Sequence, residues 1–344
     1  MIVKKILKIT GVFTILVLIA GYVYMNVSLP QLQQGAEKII EEAINAELPP
    51  LEGEEGYAYN GKVKIWFESR IPNDSIKGAI LLIMGMSNDA LSWPEYFLDP
   101  LVESGFQVIR IDNRGTGMSD WEGDWNLIDS YTLEDMAYDA LAVLDTLGIE
   151  KAHVIGISLG GMIAQTLAIK HPERAITLTS MMSTGYYMDD DLPALKPILV
   201  TDLFMANLKY GIFKTEANII KLHLVGRELL KGDNEYELNV EEVAKSVLYN
   251  YRHRRGDNPL SFQQQTQAIL KSGSRYEQLK KLKTPSLVIH GVRDPMVPFE
   301  HGKKCYEMIP NAQKLWIDGM GHDIPEVFVE ILVSSILQHI NENQ

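Results

Sequence analysis

From about Gly61 onward, short apolar runs alternate with stretches of helical period, and this alternation constrains the fold more than any other feature of the chain. The runs are Val63 to Phe67, Ala79 to Met84, Gln107 to Ile111, His153 to Ile157, Ile176 to Ser180, Ser286 to Ile289 and Lys314 to Ile317. Helical spacing occupies Thr132 to Leu147, Met162 to His171, Gly302 to Ile309 and Glu326 to Ile340. Runs such as AILLIM and VIGI are apolar throughout, as strands covered on both faces must be. The order predicts an α/β fold: a mainly parallel central sheet with helices on both faces.

One interval breaks the alternation. Residues 186–276 hold helical patterns, among them Leu195 to Leu208 and Val240 to Tyr249, and no strand-like run. They read as a helical lid inserted into a core made of residues 61–185 and 277–344, placed to cover the strand ends where open α/β sheets bind ligands. Residues 29–60 read as a linker with a short helix over Ala36 to Ala46, ended by Pro49 and Pro50. The acidic stretch Glu52 to Glu55 reads as a solvated loop.

The N-terminus carries a different signal. Lys4, Lys5 and Lys8 precede Ile9 to Val27, a run without charge that matches the roughly 20 residues a helix needs to cross a bilayer. Ala20-Gly21 is followed by Tyr22, Val23, Tyr24 and Met25 rather than a small-residue cleavage pattern, which favours an uncleaved anchor over residues 1–28 above a secreted, cleaved form. Tyr22 and Tyr24 suit an interfacial belt, and the flanking lysines predict a cytoplasmic N-terminus, with the body of the chain across the membrane.

Composition narrows the chemistry. A net charge of -13 without a long basic cluster disfavours nucleic acid as partner. The single cysteine, Cys305, forbids an intramolecular disulfide and any CxxC site, and reads as a small buried apolar residue in a helix. HExxH and GxxxxGK[ST] are also absent, so neither a metal nor a nucleotide cofactor is expected. Gly115-Thr116-Gly117 reads only as a loop after a strand.

Gly156-Ile157-Ser158-Leu159-Gly160-Gly161 ends the run VIGI and opens the helix continuing MIAQTLAIK. A nucleophile elbow needs Gly156 and Gly160 small so that a strained strand-to-helix turn can raise the Ser158 hydroxyl above the sheet. The hydroxyl then needs a base and a carboxylate that orients the base. Asp294 follows the run TPSLVIHG and His322 follows QKLWID, giving the order Ser, Asp, His that α/β-hydrolase sheets require. The other histidines, His290 at a strand end among them, read as structural or surface residues. Asp318 is the weaker alternative to Asp294, and Asp323 reads as a cap of the last helix. Backbone N–H groups of Leu159 and Met86 would form the oxyanion hole.

LLIMGMSNDALSWPEYF, VIRIDNRGTGMSDW, GISLGGMIAQTLA, VIHGVRDPMVP and IDGMGHDIP, in this order, resemble the α/β-hydrolase superfamily over roughly Gly61 to Ile340. MGM, SWP and DNRGTGMSD together are most similar to its aclacinomycin methylesterase-like branch of carboxylic ester hydrolases. The resemblance implies a helical lid, no cofactor, a Ser158, Asp294, His322 triad and an oxyanion hole at Met86 and Leu159. Met84 stands where many relatives have histidine. The expected activity is hydrolysis of a small-molecule ester through an acyl-enzyme. The same triad serves amide, thioester or carbon–carbon cleavage in other proteins, and a non-enzymatic receptor could use such a pocket.

Overall fold

A computed structural model describes residues 14, 19–121, 130–232 and 235–344. Its centre is an eight-stranded sheet: β1 (Glu54–Asn60), β2 (Val63–Arg70), β3 (Gly78–Ile83), β4 (Phe106–Ile111), β5 (Ala152–Ile157), β6 (Ala175–Met181), β7 (Ser286–Gly291) and β8 (Gln313–Ile317). The spatial order is β1-β2-β4-β3-β5-β6-β7-β8, parallel from β4 to β8 and antiparallel at the β1/β2 and β2/β4 edges. Each of the seven predicted runs is a strand. β5 is buried at every position, as its unbroken apolar sequence requires.

The chain reverses its direction of travel across the sheet between β3 and β5, which are neighbours in space. That switch point opens a crevice at the carboxyl ends of the two strands. The loop that follows β3 and the helix that follows β5 both start there.

Two layers of helix clothe the sheet. On one face α3 (Leu133–Thr146) and α4 (Leu159–Lys170) bury Leu141, Leu144, Ile163 and Leu167 against Leu81, Ile109 and Val154. On the other, α2 (Glu95–Glu103) and α11 (Val329–Asn341) bury Phe97, Leu101, Leu332 and Ile336 against Ile80, Val108 and Ile155. Thr132 begins α3 with a capping box, its hydroxyl accepting from Asp135 N–H while the Asp135 carboxylate accepts from Thr132 N–H. α10 (Phe299–Met308) carries Cys305, which is fully buried; burial pushes its thiol up to about 11, against the opposing Arg275 charge.

Between β6 and β7 the described residues form five helices and no strand: α5 (Pro197–Tyr210), α6 (Glu216–Leu230), α7 (Val240–His253), α8 (Ser261–Ser272) and α9 (Tyr276–Leu279). The short helix near the N-terminus, α1 (Ala36–Asn45), packs on this insertion rather than on the sheet. Ala36, Ile40 and Ala43, spaced by three and four residues, meet Ile220, Leu224, Val243 and Val247.

The structure corrects the reading of Glu52 to Glu55 as a solvated loop. Glu54 and Glu55 open β1, the Glu55 carboxylate accepts from the Trp66 indole at 3.0 Å, and Glu52 pairs with Arg70. β1 is an edge strand with only Ala58 turned into the core, so EEGYAYN has no apolar run to betray it. About half of the predicted anchor run, Ile9 to Val27, falls outside the described residues. Residues 19–27 are helical. Among the described residues no helix is long and apolar enough to cross a membrane.

Candidate active site

Ser158 is the last residue before α4, with φ 56° and ψ −118°, a conformation that side chains rarely adopt. Its neighbours explain why the turn can exist. A Cβ on Gly156 would lie 2.1 Å from the Gly160 carbonyl oxygen, and one on Gly160 would lie 1.9 Å from that of Ile83. Neither position admits any side chain. The strain is held by Ser158 N–H donating to the Met181 carbonyl (2.9 Å) and by the Ser183 hydroxyl donating to the Ser158 carbonyl (2.7 Å).

The loop after β3 lies directly over this serine: a Cβ at Gly85 would be 3.3 Å from Ser158 Cβ. Met86 follows in that loop, and Leu159 is the first residue of α4. Among the described residues neither amide donates a hydrogen bond. Unpaired N–H groups suit a developing negative charge, and that of Leu159 also lies at the positive end of a helix dipole. The insertion fixes the loop from above. Gln265 of α8 accepts from Ser87 N–H (2.8 Å) while Ser87 stands at φ 61°, and its amide donates to the Arg114 carbonyl (3.1 Å). Arg254, just past α7, pairs with the buried Asp112 and with Asp89 at 3.1 Å, and lies over the Trp66 ring. Burial pushes the Asp89 carboxyl up to about 6 although Arg254 works against it. Gly115 to Gly117 is therefore part of a buried network, since a Cβ at Gly117 would lie 2.2 Å from the Asp112 carboxylate.

The loops after β7 and β8 bring Asp294 and His322 together. In the tautomer the carboxylate requires, His322 Nδ1–H donates to Asp294 Oδ2 at 2.7 Å, leaving Nε2 as the free base. Asp294 Oδ1 accepts from the N–H groups of Met296 and Val297, each at 2.8 Å. Burial alone would raise the Asp294 pKa, but the charge and hydrogen bond of His322, with the His290 ring close by, hold it well below the ordinary carboxylate range. Among the described residues the Ser158 hydroxyl has no hydrogen-bond partner, so the structure joins acid to base but not base to nucleophile. Looser nucleophile contacts are common without substrate.

Three of the site's supports are absent from the sequence reading. His290 is wholly buried, donates from Nε2 to the Val297 carbonyl (2.9 Å) and lies 3.5 Å from Asp294 Oδ2, so it faces the acid. His322 N–H donates to the carbonyl of Leu230, the last residue of α6, at 2.7 Å, and Gly321 has no room for a Cβ against that same carbonyl, which would lie 2.2 Å away. The third is Gln265. The glycine of GMGH and the glutamine run QQQ were the available signals; nothing in the letters gives their partners. Asp323 does not cap the last helix: it accepts from Ile324 N–H and pairs with Arg227 of α6 at 3.4 Å. Asp318 is exposed and lies 3.7 Å from Arg293, not beside His322.

A cavity of about 660 Å³ lies under the insertion. Ser158 and His322 do not line it; it borders them through Ser87 on one side and Leu230 on the other, and runs out to Lys214 and Phe262. Ser87 Oγ and Asn250 Oδ1 are buried on its wall and have no hydrogen-bond partner among the described residues.

Residues 78–328 match the family model for the alpha/beta hydrolase fold. The rhodomycin D methylesterase DnrP of Streptomyces peucetius is 32% identical over 293 residues, covering 81% of this chain and 96% of that one. A 2-hydroxy-6-oxononadienedioate/2-hydroxy-6-oxononatrienedioate hydrolase of Paraburkholderia phymatum is 27% identical, covering 72% of this chain and 81% of that one. In three dimensions the 2-hydroxy-6-oxo-6-phenylhexa-2,4-dienoate hydrolase of Rhodococcus sp. strain RHA1 superposes with a TM-score of 0.62 at 21% identity, covering 85% of this chain and all of that one (100%), a likeness of fold. A sheet with this strand order, a serine at the β5 elbow and a family match over most of the chain lead to one assignment: this chain belongs to the α/β-hydrolase family of hydrolytic enzymes, among relatives of the aclacinomycin methylesterase type.

Proposed function

We propose that the chain hydrolyses a carboxylic ester of a small molecule through an acyl-enzyme on Ser158. His322 Nε2 takes the hydroxyl proton as Ser158 Oγ attacks the ester carbonyl carbon. The oxygen of that carbonyl takes the negative charge, facing the N–H groups of Met86 and Leu159. His322 then gives the proton to the departing alcohol oxygen. Water enters, loses a proton to the same nitrogen and attacks the acyl carbon, releasing the acid and restoring Ser158. Asp294 keeps the imidazole in the needed tautomer and offsets its charge. The observation that carries the reading is the 2.7 Å bond from His322 to Asp294, on loops that follow neighbouring strands of the elbow's own sheet. The methylesterase named among the relatives supports an ester as substrate.

Residues 186–276 act as the lid in this reading, and the cavity beneath them receives the substrate, with Ser87 Oγ and Asn250 Oδ1 to bind its polar groups. The run Ile9 to Val27 anchors the chain, its lysine-flanked end cytoplasmic and the catalytic body on the other side. Resistance of the full chain to alkaline extraction from membranes checks the anchor; release into the supernatant refutes it.

Ser158→Ala is expected to lower turnover of p-nitrophenyl butyrate by at least about a thousandfold. Unchanged turnover by that variant would sink the assignment of the nucleophile.

A further inference from the structure

Among the described residues nothing packs on the outer face of α5. Its sequence, PILVTDLFMANLKY, is apolar nearly all round, the composition of a helix enclosed by its protein, yet only Leu199 and Ala206 are buried. Val200, Phe204 and Leu208, four residues apart, form an exposed stripe that Ile212 and Phe213 extend past the helix end; Phe204 is 60% exposed and Phe213 74%. The remaining faces are occupied. Leu203, Asn207 and Gly211 look into the cavity, whereas Asp202, Ala206 and Lys209 meet the N-terminal helical segment.

That segment says what covers the stripe. The Tyr24 hydroxyl donates to Asp202 (2.7 Å), Lys209 donates to the Met25 carbonyl (2.8 Å), and Leu29 packs on Ala206. The far side of the segment is apolar and exposed at Ile19, Tyr22, Val23 and Val27. These residues end the uncharged run that begins at Ile9. A run anchored in a bilayer puts Tyr22 and Tyr24 at the level of the headgroups, and the Tyr24–Asp202 bond fixes α5 at that same level. Lys196 and Lys214 bracket the apolar stretch, as lysines bracket helices that lie in a membrane surface.

We propose that α5 lies in the membrane interface, with the Val200, Phe204, Leu208, Ile212 stripe in the acyl boundary, so that the cavity mouth at Gly211, Lys214 and Phe262 faces lipid and admits esters of membrane-resident amphiphiles. The substrate class rests on the ester reading above; the docking rests on the anchor and the exposed stripe. The net charge of -13 offers no attraction to anionic headgroups, so the contact is apolar and belongs to zwitterionic lipid.

The test uses the full chain reconstituted in phosphatidylcholine vesicles. Cys305 is fully buried, so an exposed new thiol takes a polarity-sensitive fluorophore selectively. Labelled Phe204→Cys is expected to emit to the blue and to be quenched by roughly half or more by lipids bearing a nitroxide on the acyl chain, as a residue at the acyl boundary is. Labelled Tyr59→Cys, on the exposed edge strand β1, is expected to remain unquenched. In parallel, Phe204→Glu with Ile212→Glu is expected to cut hydrolysis of a long-chain ester held in the vesicles by roughly tenfold or more while p-nitrophenyl acetate turnover stays unchanged. Equal, weak quenching at 204 and 59 overturns the docking, as does protection of 204 by a second copy of the chain, seen as cross-linking between labelled positions. Quenching at 204 in a protein that turns over no ester at all leaves the docking standing and overturns the ester reading alone.

Discussion

At the residue scale the site depends on one carboxylate and the histidines around it. Asp294 is held ionised by His322, by His290 and by two backbone N–H groups. Replacing it with asparagine keeps the shape but favours the wrong imidazole tautomer, so Asp294→Asn is expected to lower kcat by about ten-thousandfold with a smaller change in KM. The same residue has a signature in stability. Its folded pKa lies below the ordinary 3.8, so between the two values the unfolded chain binds more protons and the folded state loses stability as pH falls. The contribution is complete above the ordinary value. The gap in stability between the native chain and Asp294→Asn, measured by urea unfolding from about pH 6 down to about pH 3, is expected to shrink toward acid; a constant gap would contradict the depressed pKa. Ser158, Asp294 and His322 are legible in the sequence because each follows an apolar run in a loop rich in glycine or proline. His290 is not, because its approach to Asp294 depends on the turn that brings the Val297 carbonyl back onto it.

Among the elements, the turn from β5 into α4 carries most of the geometry. The letters G-x-S-x-G are weak as a pattern, and the structure gives each glycine a steric cause: one faces the first turn of α4, the other the end of β3. Gly160→Ala would press a methyl group into the Ile83 carbonyl, and rigid backbone on both sides leaves it nowhere to go. The variant is expected to lose at least about 4 kcal/mol of stability or to fail to accumulate folded, which thermal unfolding followed by circular dichroism reads directly. Gly226→Ala is the control: a Cβ there meets nothing within 4 Å, and an interior helix position gains about 1 kcal/mol from alanine. The strands were equally legible where both faces are covered, since burial forces continuous apolar runs. β1 escaped because an edge strand with one inward residue need not look like a strand.

Across the whole molecule, the insertion does more than cover the crevice. Leu230 at the end of α6 receives the His322 N–H, Gln265 of α8 holds Ser87, and Arg254 after α7 pairs with Asp89 and Asp112. The His322 loop and the loop after β3, the proposed base and oxyanion loops, are thus each tied to the core by their own strand and to the insertion by a long-range contact. No local pattern encodes these ties, because each joins segments distant in sequence through a carbonyl or a side-chain amide. α1 belongs to the same unit: Ile40, 1% exposed, is its central contact with α6 and α7. Ile40→Ala should therefore cost about 2–5 kcal/mol as a core truncation and also loosen the α6 end that holds His322. Leu144→Ala, fully buried in α3 on the opposite side of the site, should cost a similar amount and disturb no catalytic loop. At a temperature where both variants remain folded, Ile40→Ala is expected to lower kcat several-fold, on the order of 1 kcal/mol of barrier, while Leu144→Ala leaves kcat unchanged. Equal kcat values in the two variants would mean that the α1 packing supports the insertion without reaching His322.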